Sequence, residues 1–327
     1  MTSDVPGRIL EMLRNRQGHL SGAEISKVLG ISRSAIWKHI EALRREGYQI
    51  EAKPASGYQL IVVPSHLTAW EIRAGLGTDQ IGTKIHVFPA VDSTNTVAFQ
   101  LALNGAYEGE VVVVESQHAG KGRMGRRWES PSGVNIYLSI VLRPPFPPNK
   151  IPLITLMTAI ACAEGIEEVT GLVPAIKWPN DLLFGGKKVG GILTEADMEM
   201  DRINFVIVGI GINVNMPRSV FPPSISDTAT SVQEALGKEV SRVTLIQALL
   251  RKFEEWYTRF KDGRGEAITG RWEELSQIRG KAVEVDFMGE MVQGRVLEID
   301  ADGALLVQEA GGTVKRIVAG DVQVRGR

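Results

Sequence analysis

The stretch that organises the chain is Gln-His-Ala-Gly-Lys-Gly-Arg-Met-Gly-Arg-Arg-Trp, residues 117–128. It contains three glycines and four cationic side chains, and no acidic residue. Glycine lets a backbone come close to a ligand, and neighbouring cations repel one another unless an anion lies between them. The valine run 111–114 before it and the apolar run 134–142 after it are typical of strands. The composition therefore predicts an anion-binding loop between two strands.

Two common phosphate-binding motifs do not describe this loop, and a solvated basic hairpin is the alternative interpretation. The P-loop pattern Gly-x-x-x-x-Gly-Lys-Ser/Thr does not occur here. No helix is expected to open after the loop, so the dinucleotide fingerprint does not fit either. Because no partner for the cations is visible inside the loop, we expect it to be mobile until an anion orders it. The four cations are Lys121, Arg123, Arg126 and Arg127.

The length and composition are those of a globular protein with several domains. The 327 residues suffice for two or three domains. With 37 Lys and Arg against 38 Asp and Glu, any attraction to nucleic acid must be local. The one cysteine, Cys162, excludes a disulfide framework and a multi-cysteine metal site. No signal peptide is visible and no apolar run reaches the ~18 residues of a membrane span, so we expect a cytoplasmic protein without a membrane partner.

The N-terminal 64 residues predict a winged helix-turn-helix domain. Ser21 and Glu24 form a capping box before the second of three helices, and Ser32 caps the third. Two short extended segments follow as a wing. Nine Lys and Arg against six Asp and Glu make this segment only slightly basic, so a helical packing module is the alternative to DNA binding.

Helix-turn-helix proteins read base edges from the first turns of their recognition helix, while other polar groups bind the DNA backbone. We expect the outward face of the third helix to present Arg44 as well as Arg33, Ser34, Trp37 and Lys38. One winged helix makes few contacts, whereas a two-fold homodimer on a palindromic double-stranded site would double them. The predicted DNA-binding residues are Arg33, Ser34, Trp37, Lys38 and Lys53.

The central part of the chain alternates helical and strand patterns. Asp92-Ser93-Thr94-Asn95 is expected to cap a helix that runs to about residue 104. Ile176-Lys177-Trp178 is expected as a short strand that leads into Pro179-Asn180-Asp181, and a hairpin turning at Gly185-Gly186 carries Lys188. A buried strand from residue 205 ends at Asn213. From about residue 280 short strands alternate with glycine turns, which predicts a small β-barrel. The predicted domains are 1–64, 65–275 and 276–327.

Four stretches, in the order expected for the family, resemble the signatures of biotin protein ligases. With the N-terminal helix-turn-helix, the layout is similar to that of the bifunctional group, which acts as biotin ligase and as biotin operon repressor. This resemblance implies an α+β multidomain chain: a winged helix-turn-helix, a central biotin/lipoate ligase-like α/β catalytic domain with a mixed sheet, and an SH3-like C-terminal β-barrel. The stretches are Ser93-Thr94-Asn95, the loop 117–128, Lys177-Trp178-Pro179-Asn180-Asp181 and Gly209-Ile210-Gly211-Ile212-Asn213.

The resemblance also implies roles for single residues. Lys188 matches the lysine that holds the biotin carboxylate and the phosphate oxygens, and with Lys121 and Arg123 it forms the expected catalytic set. A ureido ring, with two N–H groups and a carbonyl, needs hydroxyl and amide partners. The expected biotin-binding residues are Ser93, Thr94, Asn95, Gln117, Lys121, Gly122, Arg123 and Lys188. The expected adenylate- or ATP-binding residues are Arg126, Trp128, Asn180, Asp181 and Asn213.

The implied reaction has two steps. Biotin and ATP form biotinyl-5′-AMP and pyrophosphate, and a lysine of a biotin carboxyl carrier domain then takes the biotinyl group. Mg²⁺ is expected with ATP, held mainly by phosphate oxygens, with Asp181 as its expected protein ligand.

Three alternatives remain: a lipoate-type ligase, a ligand-sensing repressor without ligase activity, and a ligase whose N-terminal domain does not bind DNA. The contacts of the lid over the adenine are also left undecided, because Ala229 stands where some relatives have Trp.

Overall fold

The structure is a computed structural model that describes residues 5–287 and 289–324. It divides into two compact units, Met1–Gly75 and Leu76–Arg327. No helix among the described residues combines the length and the apolar character that crossing a bilayer requires.

The first unit is a helix-turn-helix followed by a hairpin, as predicted. The capping box is confirmed, because the Glu24 N–H donates to Ser21 Oγ over 3.1 Å and the Glu24 carboxylate accepts from the Ser21 N–H. Gly30 ends the second helix in the left-handed conformation, with φ 68°. The elements are α1 (Val5–Arg14), α2 (Gly22–Leu29), α3 (Arg33–Arg45), β1 (Gln49–Lys53), β2 (Gly57–Val62) and α4 (Ala69–Arg73).

Helix α4 belongs to this first unit. The Tyr48 hydroxyl donates to Glu71 Oε1 over 2.7 Å and bonds with Thr68 Oγ1 over 2.8 Å. Trp70 packs against the apolar core that the three helices share. The unit therefore extends to Gly75 rather than ending with the hairpin.

The centre of the second unit is a seven-stranded mixed sheet in the order β3-β4-β5-β9-β8-β7-β6. Only the β3–β4 pair is parallel among its described pairings. All four valines of the run 111–114 are fully buried, so the central strands are anchored by apolar burial. The strands are β3 (Ile85–Val91), β4 (Val111–Gln117), β5 (Ile136–Leu142), β6 (Ala175–Lys177), β7 (Asp181–Phe184), β8 (Lys187–Glu199) and β9 (Arg202–Ile212).

Five helices accompany this sheet. The first packs Ala98 and Ala102 against Val112 and Val114 of β4. The long apolar helix that begins at Ile151 contacts β8 and the next long helix. They are α5 (Thr94–Leu103), α6 (Ile151–Thr170), α7 (Val232–Leu236), α8 (Arg242–Lys261) and α9 (Gly265–Ser276).

The C-terminal part of the unit is an antiparallel sheet in the order β13-β12-β11-β10-β14. The short strands expected from about residue 280 are confirmed, and the last strand, β14, lies beyond the four expected segments 282–287, 291–299, 304–309 and 313–318. Its two edge strands are not paired with each other among the described residues, so an antiparallel β domain is what the structure supports. The strands are β10 (Ala282–Phe287), β11 (Glu290–Ile299), β12 (Leu305–Gln308), β13 (Val314–Ile317) and β14 (Asp321–Val324).

Candidate active site

One cavity of about 240 Å³ in the second unit brings together all thirteen residues predicted to bind biotin or the nucleotide. They come from the loop 117–128, the start of α5, strands β7 and β8, and the residue after β9. Asp321 of β14 also lines the cavity, and the sequence analysis did not find it. The gathering of these side chains is an observation, whereas their individual roles stay predictions.

Two glycines of β9 make room for the side chains that shape the cavity. A Cβ atom at Gly209 would lie 2.2 Å from Asn95 Oδ1, and one at Gly211 would lie 2.7 Å from the Trp128 indole. Neither distance is tolerable for real atoms, so these positions require glycine. The buried Trp128 Nε1 has no hydrogen-bond partner among the described residues. The Gly-x-Gly pattern therefore serves the approach of Asn95 and Trp128 to the sheet.

The first end of the cavity, which we call the neutral end, consists of Ser93, Thr94, Asn95 and Gln117. The Thr94 N–H and hydroxyl both donate to Gln117 Oε1, over 2.8 Å and 3.2 Å. Gln117 Nε2 in turn donates to Ser130 Oγ over 2.9 Å. Ser93 precedes α5 but makes no side-chain capping bond, so its hydroxyl is not used to close the helix.

Asn95 is buried and hydrogen-bonded to two strands, β5 and β8. Its Oδ1 accepts a hydrogen bond from Ser139 Oγ over 2.6 Å. Its Nδ2 donates to Glu195 Oε2 over 2.7 Å and to the Leu193 carbonyl over 3.2 Å. Both N–H bonds are therefore already used within the protein. This arrangement fixes the Asn95 amide before any ligand arrives.

A second set of residues lining the cavity, which we call the charged end, consists of Lys121, Arg123, Arg126 and Lys188. The loop that carries the first three is folded on itself. The Gly122 N–H donates to the Arg126 carbonyl over 2.7 Å, and the Arg126 N–H donates back to the Arg123 carbonyl over 3.1 Å. Met124 has a left-handed backbone, with φ 55°. The loop thus has internal backbone bonds.

The loop cations have partners that lie outside the loop. Arg123 Nη1 donates to Asn180 Oδ1 over 2.9 Å, and Arg126 forms an ion pair with Asp321. Lys121 lies 3.7 Å from a Glu195 oxygen. Arg127 donates to the His118 carbonyl over 3.2 Å and lies 3.7 Å from Glu129. Glu195, Asp321 and Asn180 lie far from residues 117–128 along the chain, and Glu129 directly follows that stretch, so inspection of the stretch alone does not show these partners. The mobility of the loop stays a prediction.

Lys188 lies at the meeting point of three elements. Its Nζ is 2.7 Å from Asp181 Oδ1 and 5.4 Å from the centroid of the Trp128 ring. Its backbone N–H donates to the Thr228 carbonyl over 2.7 Å, and its carbonyl accepts from the Thr230 N–H over 2.9 Å. The segment after β9 is therefore held along β8 beside the lysine.

The segment 214–230 supplies an apolar wall to the cavity. Met216, Phe221 and Ala229 form a buried cluster with the partly buried Ile225, and all four line the cavity. Asn213 supports the wall, since its Nδ2 donates to the Thr230 carbonyl over 3.0 Å. Ala229 thus belongs to this wall.

Charge and burial act against each other at Arg123. Burial lowers the pKa of this guanidinium, while the charges of Asp321 and Asp181 raise it. Three carboxylates line the cavity, Asp181, Asp321 and Glu129, and each of them is paired with a cation. Among the described residues no cluster of three or more His, Cys, Asp or Glu side chains forms a metal site.

The predicted DNA-binding residues lie on the first unit. Arg33, Ser34, Trp37 and Lys38 are exposed on α3, and Lys53 is exposed at the end of β1. Arg44 does not point outward as expected. Its Nη1 donates to Glu41 Oε1 over 2.7 Å, and its Nε donates to the Ile50 carbonyl over 3.0 Å. The expectation for Arg44 is wrong because this side chain bridges α3 and the hairpin.

The comparison with known proteins agrees with this division of the chain. Residues 8–59 match a helix-turn-helix domain, residues 87–213 match the biotin/lipoate A/B protein ligase family, and residues 279–325 match the biotin protein ligase C-terminal domain. The bifunctional ligase/repressor BirA of Bacillus subtilis is 42% identical over 305 residues, covering 93% of this chain and 94% of the relative. The chain belongs to the bifunctional ligase/repressor family.

Further members and structures agree with the family assignment. The bifunctional ligase/repressor BirA of Escherichia coli is 32% identical over 321 residues, 98% of this chain and 97% of the relative. The solved biotin protein ligase from Aquifex aeolicus in complex with biotin and ATP superimposes with a TM-score of 0.64 at 29% identity. It covers 74% of this chain and 99% of its own length.

Proposed function

We propose that this member of the bifunctional ligase/repressor family forms biotinyl-5′-AMP from biotin and ATP, transfers biotin to a carrier lysine, and represses transcription in response to biotin. One observation carries the ligase proposal: the cavity joins an end rich in neutral hydrogen-bonding groups to an end rich in cations. Biotin is itself divided in this way, with a neutral ureido ring and an anionic carboxylate.

The neutral end suits the ureido ring. Ser93 and Thr94 supply hydroxyls and Gln117 an amide, the groups that pair with two N–H donors and one carbonyl. Thr94 and Gln117 already bond to each other, so they are oriented before binding. Asn95, whose N–H groups are used by Glu195 and Leu193, acts by holding this end in place and offers the ring its Oδ1.

The charged end suits the reacting groups. A carboxylate oxygen of biotin attacks the α-phosphorus of ATP, and the bond from that phosphorus to the bridging oxygen breaks as pyrophosphate leaves. Lys188, Lys121 and Arg123 stabilise the negative charge that develops on the phosphate. In the second step the carrier amine attacks the biotinyl carbonyl and loses a proton, and AMP leaves. Gly122 lets the loop backbone approach the ligand closely.

The remaining predicted contacts concern the nucleotide. The Trp128 ring and the wall of Met216, Phe221 and Ile225 provide apolar surface for the adenine, with Asn213 at the edge of that wall. Arg126 suits the outer phosphates, because it is the more exposed of the two arginines next to Asp321. Asn180 acts by holding Arg123.

Magnesium fits this site as a companion of ATP. Mg²⁺ keeps several waters and is held by one or two carboxylates together with substrate phosphates. Asp181 supplies one carboxylate beside the charged end, which matches that preference. When bound, the ion would neutralise charge on the leaving phosphates.

The regulatory half of the proposal assigns operator contacts to Arg33, Ser34, Trp37, Lys38 and Lys53, all of which are exposed. We assign a palindromic operator and a homodimer, because one α3 helix makes few base contacts. The second partner is the carrier domain of a biotin-dependent carboxylase. Such a protein works in the cytoplasm, where ATP, carrier and DNA are available, and its C-terminal domain is an SH3-like barrel.

The test is to incubate the protein with ATP, Mg²⁺ and biotin and to measure the mass of the small-molecule product. We expect biotinyl-5′-AMP and released pyrophosphate. Lipoate in place of biotin should give no adenylate, because its flexible chain does not pair with the neutral end. An adenylate formed from lipoate alone would favour the lipoate-type ligase, and no adenylate from either acid would leave only a repressor.

A further inference from the structure

The C-terminal β domain inserts one carboxylate into the cavity of the central domain. Asp321 is the first residue of β14, and it forms an ion pair with Arg126. Its other oxygen lies 3.8 Å from Arg123 Nη1. The neighbouring Gly320 carbonyl accepts from Arg123 Nη1 and Nη2, over 3.4 Å and 3.3 Å. Two arginines of the loop are therefore held by consecutive residues of another domain.

The position of this carboxylate is fixed by the backbone of its own domain. Asp321 pairs with Asp286 in the β10–β14 ladder. Gly320 has φ 148°, and a Cβ atom there would lie 2.5 Å from the Asp286 carbonyl oxygen. Only glycine fits at this point, so the chain turns into β14 in one defined way and directs Asp321 to the arginines.

The ion pair between Arg126 and Asp321 is exposed enough for an anionic ligand to replace the carboxylate. The side chains of Arg126 and Asp321 are 65% and 36% exposed, and water and salt weaken pairs at such positions. A buried pair, such as Arg242 with Glu115 at 8% and 10% exposure, does not offer this freedom. A polyphosphate carries several charges and, like a carboxylate, forms charge-assisted and often bidentate hydrogen bonds with arginine.

We propose that Asp321 is a positioning residue, contributed by the C-terminal domain, that holds Arg126 and Arg123 at the cavity until the triphosphate of ATP replaces it. This inference rests on the proposed ligase function. Asp321 acts through the arginines, so it need not touch the reacting atoms. Its carboxylate competes with the phosphates for the same guanidinium groups, and the C-terminal domain thereby sets how readily ATP enters.

The test compares the Asp321→Asn variant with the unaltered protein in the adenylation reaction. Removing the competing charge should lower KM for ATP by about two- to fivefold, the range expected for a partly exposed ion pair. The kcat for adenylation and the KM for biotin should stay within about twofold of the unaltered protein. Asp321→Ser, made in parallel, should give the same fall in KM for ATP. An unchanged or raised KM for ATP in both variants overturns the inference.

Asp302→Asn is the matched control. Asp302 belongs to the same domain and also pairs with a central-domain cation, Lys150, over 2.7 Å, but it does not line the cavity. Its substitution should leave both KM values unchanged. In an Arg126→Gln background the Asp321→Asn effect should shrink, because the two residues act on each other; an undiminished effect contradicts the proposal. If the unaltered protein makes no biotinyl-5′-AMP, the proposed function fails, whereas an active protein insensitive to Asp321 refutes only this inference.

Discussion

At the neutral end of the cavity, Thr94, Asn95 and Gln117 are hydrogen-bonded to neighbours at buried or half-buried positions. At the charged end, Arg126 and Lys188 are paired with Asp321 and Asp181 at partly exposed positions. The first arrangement is set before a ligand binds. The second consists of ion pairs that an anionic ligand can replace. Under the proposed function, the first end would select the acid and the second would adapt to the phosphates.

The largest expected effect is at Lys188. Replacing it with Ala removes the cation that lies between Asp181 and the Trp128 ring. Biotinyl-AMP formation should fall by about 100- to 1000-fold, as for the loss of one preorganised donor, while the thermal midpoint changes little. Pyrophosphate release measures the first quantity and calorimetry the second. Lys187→Ala, which alters the neighbouring lysine outside the cavity, is the control. Full activity of the Lys188 variant would remove this residue from the mechanism.

Substitution of Gly209 in β9 tests how rigid the neutral end is. In Gly209→Ala the new Cβ would meet Asn95 Oδ1 at 2.2 Å, so Asn95 must leave its bond with Ser139. The protein should lose about 1–3 kcal/mol of stability, as overpacked sites do, and biotin should bind more than tenfold more weakly (~1.4 kcal/mol per tenfold). Gly270→Ala in α9 is the control, since nothing lies within 4 Å of its Cβ position. Equal behaviour of the two variants would show that the neutral end tolerates displacement.

At the charged end, Arg123→Gly should weaken retention of the product adenylate. Arg123 bonds to Asn180 and to the Gly320 carbonyl, so its loss detaches the loop from two sides. We expect biotinyl-AMP to leave about tenfold faster, the effect of losing one charge-assisted hydrogen bond, and to label lysines of bystander proteins. Arg123→Lys should show less labelling than Arg123→Gly. An unchanged half-life of the bound adenylate would contradict the retaining role.

The smallest expected effects concern the DNA-binding unit, because the cavity is lined by residues of the second unit. Deleting residues 1–75, the limit of the first unit, should leave adenylation within about twofold of the intact protein. Ending the deletion at residue 64 would strand Trp70 and Glu71, which contact the first unit.

In the intact protein, Arg33→Ala or Lys38→Ala should flatten the salt dependence of operator binding by about one unit each. Arg44→Ala is the internal control, because Arg44 is held by Glu41 and the Ile50 carbonyl. A slope that is the same for all three variants would count against the assigned DNA face.

The sequence predicted those parts of the molecule that depend on local chemistry. Ser21 with Glu24 specified a helix start to the residue, and the valine run specified a buried strand. The partners of the loop cations were missed because Glu195 and Asp321 are far from residues 117–128 along the chain. Strand β14 was missed because its short segment follows closely after β13. The direction of Arg44 was predicted wrongly because helical spacing shows on which face of α3 a residue lies, but not that its side chain bonds to the hairpin.

The salt dependence of KM for ATP and of KM for biotin tests the difference between the neutral end and the charged end most directly. KM for ATP and for biotin would be measured by pyrophosphate release from about 0.1 M to about 1 M salt, over which the Debye length falls from ~10 Å to ~3 Å. We predict that KM for ATP rises at least about fivefold, because exposed cations such as Arg126 bind it, while KM for biotin changes by less than about twofold. Equal salt dependence for both substrates would contradict the account.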